Sequence, residues 1–210
     1  MTPVLRITTL AVFALLAASA HAAMVTVQAS DSNGKALADV VLVADPEAGT
    51  SLPKLVKQTE IEQRGLKFLP LVSVIQTGSR IAFPNNDKVK HHIYSFSPAK
   101  KFDQKLYSGV AAAPQVFDKP GTVVLGCNIH DRMIAYVKVV DSPYFAKTDA
   151  TGVAHIELPA GGKYTLSAWH FNQSAAPADQ MVSIKPGETP AGVAFKLALK
   201  PAATEAESAY

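Results

Sequence analysis

Cys127-Asn128-Ile129-His130-Asp131-Arg132-Met133 gathers the only cysteine of the 210-residue chain into one short stretch with a histidine and a methionine. A thiolate, an imidazole and a thioether are donor types that suit copper in an electron-transfer site. Before the cysteine, Val123, Leu125 and Cys127 fall on one face of a strand, and Thr122, Val124 and Gly126 on the other. After it, Met133, Ala135, Val137 and Val139 share a face, opposite Ile134, Tyr136 and Lys138. This phase predicts that Cys127 and Met133 point inward at one end of a β-sandwich. His130 then sits at the tip of the connection between them.

Such a site needs a second imidazole. The upstream stretch Asn85-Asn86-Asp87-Lys88-Val89-Lys90-His91-His92-Ile93 offers two. His91 is in step with Ile93, while His92 is in step with Tyr94 and Phe96, so strand phase alone leaves both open.

The N-terminus reads as an export leader over residues 1–22. Arg6 supplies the positive start, Leu10 to Ala18 form an apolar core too short for a stable membrane anchor, and Ala20-His21-Ala22 has the small-x-small form of a cleavage site. A buried N-terminal helix is the competing reading. An exported, soluble, periplasmic protein of about 188 residues is expected. A single thiol cannot close an internal disulfide, so Cys127 is either a packed small hydrophobe or a ligand; His130 and Met133 beside it favour the ligand.

The formal net charge is only +3, which gives no case for nucleic acid. The lysines are uneven, however: Lys88, Lys90, Lys100, Lys101 and Lys105 share one stretch whose only interior acid is Asp103. That stretch reads first as a solvated loop. If it flanks the metal, it offers a basic surface to an acidic redox partner.

The mature chain reads as all-β. Thirteen of the chain's fourteen prolines and all twelve glycines cut it into short runs rich in Val, Ile, Thr, Tyr and Phe, and no long segment beyond the leader has helical periodicity. Residues 201–210 read as a frayed, disordered tail. There is no Cys-x-x-Cys-His for haem, no phosphate-cradling glycine loop and no nucleophile elbow. A Cys127–His130 nucleophile would leave Met133 and the upstream histidines unexplained, and methionine is a poor zinc ligand. No enzymatic activity is expected.

At these residues the chain resembles the cupredoxins, the plastocyanin- and amicyanin-like small blue copper proteins, including those labelled methylamine utilisation proteins. In that family a Cys-x-x-His loop ending in Met joins the last two strands, and a distant histidine follows an Asn-rich strand end. Phe83-Pro84-Asn85-Asn86 with His91 resembles the upstream element, and Cys127, His130 and Met133 match the downstream one. The resemblance covers roughly residues 58–142. It implies a Greek-key β-sandwich holding one copper ion through His91, Cys127, His130 and a weak axial Met133, with His92 the alternative to His91. It also implies one-electron transfer to a redox partner. Family members often carry an aromatic residue before the cysteine and a proline before the loop histidine; Gly126 and Ile129 stand there, and Lys90 replaces an upstream proline. The same ligands would serve a copper-trafficking or docking module with no redox partner.

The flanks resemble carboxypeptidase regulatory-like, transthyretin-like domains. Val25 to Leu42 is similar to their opening strands and Thr148 to Leu166 to their later ones. The implied organisation is a copper domain at 51–142 inserted between two pieces, 23–50 and 143–200, of a second β-sandwich. A lone N-terminal hairpin would be marginal in water, which favours the insertion over three separate cores.

Overall fold

The computed structural model describes residues 22–109 and 113–201, so the expected leader up to residue 21 and tail from residue 202 lie outside the described residues. The chain is all-β, with no helix among the described residues. It opens with β1 (Ala22–Asp31) and β2 (Val41–Pro46). The middle of the chain supplies β3 (Gln58–Glu60), β4 (Glu62–Gln63), β5 (Phe68–Leu69), β6 (Val72–Gln76), β7 (Arg80–Ala82), β8 (His91–Ser97) and β9 (Lys100–Tyr107). It continues through β10 (Gln115–Val116), β11 (Gly121–Cys127) and β12 (Ile134–Val140). The last strands are β13 (Phe145–Lys147), β14 (Val153–Pro159), β15 (Lys163–Trp169), β16 (Gln180–Ser183) and β17 (Val193–Leu197).

Pairing sorts these strands by origin. The two ends of the chain build one sheet in the order β14-β1-β17 and another in the order β13-β2-β15-β16. The middle builds a five-stranded sheet, β6-β12-β11-β8-β9, faced by β10-β7-β3 and the β4–β5 hairpin. Most neighbours are antiparallel, whereas β1–β17, β3–β7 and β6–β12 are parallel.

Apolar alternation then stacks the sheets. Val25, Val27 and Ala29 of β1 meet Leu42 and Ala44 of β2 and Leu166 of β15 in one core. Val123, Leu125 and Cys127 of β11 and Ala135, Val137 and Val139 of β12 fill a second core with Ile81, Phe83 and Phe117. A third, smaller cluster joins the two. Val41 and Val43, on the other face of β2, pack against Val72 and Val140, with Tyr136 stacked on Phe171 at 4.9 Å. Strand β2 is therefore buried on both faces, which explains its unbroken apolar run Val41-Leu42-Val43-Ala44. Each fully buried Val or Leu there contributes about 1.5–3 kcal/mol.

One expectation needs correcting. Lys100, Lys101 and Lys105 do not lie in a solvated loop but on β9, the edge of the five-stranded sheet. The strand alternates around buried Gln104, and lysines on an edge discourage pairing with another chain. A run of charged residues hides such a strand from composition-based reading.

Candidate metal centre

Strand β8 decides which histidine turns inward. His91, Ile93 and Ser95 are buried, whereas His92, Tyr94 and Phe96 lie on the opposite face. The strand is held in this phase by antiparallel pairing of Ile93 with Cys127 and of Tyr94 with Gly126 on β11. The preceding turn is braced by Asn85, whose Nδ2 donates to the carbonyls of Val89 and Tyr107 while its Oδ1 accepts the N–H of Asp87. The Asn-rich element thus shapes the loop that delivers His91.

Cys127 ends β11, and the connection to β12 folds back on itself. The Cys127 N–H donates to the Met133 carbonyl at 3.2 Å, and the Met133 N–H to the His130 carbonyl at 2.9 Å. That closure lays the His130 ring over the cysteine. Met133 is buried in the same apolar cluster as Cys127, just before β12 begins.

The result is a compact triangle of donor atoms. His91 Nδ1 lies 3.2 Å from His130 Nδ1, and Cys127 Sγ lies 3.8 Å and 3.7 Å from those two nitrogens. A circle through the three atoms has a radius of about 2.1 Å, against about 2.0–2.1 Å for a metal–imidazole bond and about 2.3 Å for a metal–thiolate bond. One point is therefore at bonding distance from all three donors. These residues are the His–Cys–His group that a metal ion would fit among the described residues. His91 and Cys127 are buried, and His130 is partly exposed at the surface.

The structure separates the remaining candidates from this cluster. His92 is ion-paired with Asp103 on the outer face of the sheet. His155 is exposed and bonded to Thr26, as its surface reading expects. Trp169 packs against Tyr136, with the Lys138 ammonium 5.3 Å from its ring centroid. His170 is buried, which pushes its imidazole below the usual range, and it accepts the Asn172 N–H.

Two neighbours were not singled out from sequence. Asp87 Oδ2 lies 2.8 Å from His91 Nε2, the ring nitrogen turned away from the cysteine. Burial pushes the Asp87 carboxyl up, but hydrogen bonds from His91, Leu66 and Gly65 outweigh it and hold the group below the usual carboxylate range. Its spacing four residues before His91 was visible, but only the folded turn shows that the two side chains meet. Tyr94 is the second. Its ring lies where a Cβ on Gly126 would come within 2.8 Å, so the glycine admits an aromatic ring from the neighbouring strand beside the cysteine.

Neither a protein-family model nor a curated protein matches the chain. Solved structures similar to it include a purple cupredoxin from Nitrosopumilus maritimus, 21% identical over 39% of this chain and 99% of that one, with a TM-score of 0.35. Amicyanin from Paracoccus versutus is 15% identical over 50% of this chain and 100% of its own, with a TM-score of 0.36. A copper-containing nitrite reductase from Thermus scotoductus SA-01 is 21% identical over 47% of this chain, at a TM-score of 0.37; only 25% of the reductase is spanned. Overlaps this partial leave the chemistry to the chain's own donor atoms.

Proposed function

We propose that the chain is an exported, periplasmic one-electron carrier in which His91, Cys127 and His130 would hold a single copper ion, with Met133 as a further, weaker donor. The observation that carries this reading is the donor triangle, whose common point lies about 2.1 Å from a thiolate and two imidazoles. When bound, copper supplies a Cu(II)/Cu(I) couple. The protein's part is to keep the donors nearly fixed, so that little reorganisation accompanies a change of charge. His91 is fixed by the Asn85-braced turn, Cys127 by the β8–β11 pairing, and His130 by the closed β11–β12 connection. The partly exposed His130 is the natural point of electron entry and exit.

The basic edge strand β9, with exposed Lys101 and Lys105, suits an acidic redox partner. A trafficking module must hand its ion to another protein by ligand exchange. His91 and Cys127, 0% and 3% exposed, offer little access for that, which favours the carrier.

The test is a titration of the purified mature protein with Cu(II), in parallel with Cys127→Ser. An intense visible thiolate-to-copper band, absent in the variant, is the expected result. A colourless protein that takes Zn(II) equally well would overturn the reading.

A further inference from the structure

We infer that Asp87 is a positioning residue for the metal centre: its carboxylate, clamped by the tip of the β4–β5 hairpin, holds His91 with the proton on Nε2 and the lone pair of Nδ1 aimed at the donor triangle. The inference rests on the copper reading above, and it assigns work to a residue that does not itself touch the ion.

The geometry runs in an unbroken line from hairpin to donor atom. The hairpin turn closes with the Arg64 N–H on the Lys67 carbonyl at 3.0 Å, leaving Gly65 and Leu66 as its two central residues. Both have positive φ, 63° and 56°, as a two-residue hairpin turn of the mirror-image type requires. For Leu66 this left-handed conformation is disfavoured by a clash of its Cβ. In return, two successive N–H groups converge on one carboxylate. Gly65 donates to Asp87 Oδ1 at 2.6 Å and Leu66 to Oδ2 at 3.1 Å. Oδ2 then faces His91 Nε2 at 2.8 Å.

Because a carboxylate only accepts hydrogen bonds, the imidazole proton must sit on Nε2. Nδ1 is then left as the free donor, 3.8 Å from the cysteine sulfur and 3.2 Å from His130 Nδ1. A carboxylate behind a ligating histidine fixes the tautomer and ring orientation and raises the basicity of the ligating nitrogen. Greater basicity favours the higher charge state of the bound ion, so Asp87 lowers the reduction potential relative to a neutral partner.

Three readouts test this in the full mature chain. In the metal-free protein, nitrogen NMR of His91 should show the Nε2-protonated tautomer, and Asp87→Ala should lose that preference. With copper, Asp87→Asn should bind Cu(II) about 10–100-fold more weakly and have a higher potential; each tenfold loss of Cu(II) over Cu(I) preference amounts to about 59 mV. Asn86→Ala is the control for a merely structural strap. It cuts the Asn86 Nδ2 bond to Glu62 at 2.7 Å, another tie between the same turn and hairpin that does not reach His91. Its potential and tautomer should match the wild type. An Asp87→Asn protein with unchanged potential and affinity, or an Asn86→Ala protein shifted as far, overturns the inference. A wild-type protein that takes no copper overturns the copper reading instead, while the tautomer measurement still decides whether Asp87 orients His91.

Discussion

The two β-sandwiches share strand architecture and differ in what they bury. The one built from the chain's ends closes on Val25, Leu42, Ile156, Leu166, Phe195 and their neighbours, with Thr148 and His170 among its buried polar side chains. The one built from the middle begins the same way, with Val123, Leu125 and Val137, but its pole ends in buried His91, Cys127, Asn85 and Gln63. Burying polar side chains costs free energy unless they are paired, so their concentration at one pole marks where the fold gives up packing for chemistry. The other sandwich buttresses it: β2 presents one face to its own core and the other to the five-stranded sheet.

If that division of labour is right, damage to the apolar core should cost stability and leave the centre intact. Leu166 is fully buried in the outer core, and Leu166→Ala is expected to cost about 2–5 kcal/mol by leaving a cavity. Chemical denaturation measures the loss. The copper spectrum of the folded fraction should be unchanged; a shifted band would show that the two sandwiches are not separable in function.

Met133→Leu probes the boundary between packing and chemistry. The residue is 1% exposed among apolar neighbours, so a side chain of similar volume should cost less than about 1.5 kcal/mol. If Met133 is a donor as proposed, copper should still bind through the other three residues, but voltammetry should find a higher potential, because a thioether would no longer be among the donors. An unchanged potential would make Met133 a core residue and nothing more.

The same comparison explains what could be read before folding. The apolar periodicity of β11 and β12 follows from local alternation, so the inward placement of Cys127 and Met133 was visible in the chain. The continuous Val41 to Ala44 run fits a strand buried on two sides, although only the folded structure shows what covers each face. Asp87 and Tyr94 were not legible as neighbours of the centre, because their roles depend on contacts across strands. The partner of Asp87 Oδ1 is a turn 22 residues away, and Tyr94 reaches Gly126 only through the β8–β11 register. Strand β9 was missed for another reason: its outward positions carry lysines, and a solvated edge looks like a solvated loop.

Tyr107 gives the polar pole a stronger pH signature than Tyr164 gives the apolar core, where burial raises a phenol in the same direction. Burial pushes its phenol up to about 12, a hydrogen bond from Gln63 opposes the shift, and the nearby Cys127 charge adds to it. Its hydroxyl donates to the Phe83 carbonyl at 2.6 Å, a bond that requires the protonated form. A folded-state pKa above the unfolded value of about 10 means stability that is complete below about pH 10 and lost as pH rises through about 12. Tyr107→Phe should therefore lose less stability than the wild type between those limits. At neutral pH it should cost about 1 kcal/mol for the missing hydrogen bond. Thermal unfolding at stepped pH compares the two; parallel curves would remove Tyr107 as the source.

The smallest expected effect is the sharpest test of register. His91 and His92 are adjacent, yet one faces the donor triangle and the other pairs with Asp103 on the open face of the sheet. His92→Gln removes an exposed ion pair worth about 0–1 kcal/mol and no ligand, so the copper band, affinity and potential should all stay at their wild-type values. The alternative has a definite signature. Side chains alternate with a period of two, so a slip of β8 by one residue would exchange the faces of the two histidines. His92→Gln would then abolish the band, and His91→Gln would spare it. The pairing of Ile93 with Cys127 and the bulge between His91 and Ile93 oppose such a slip, because the bulge absorbs the extra residue on the β9 side and leaves the β11 side in phase.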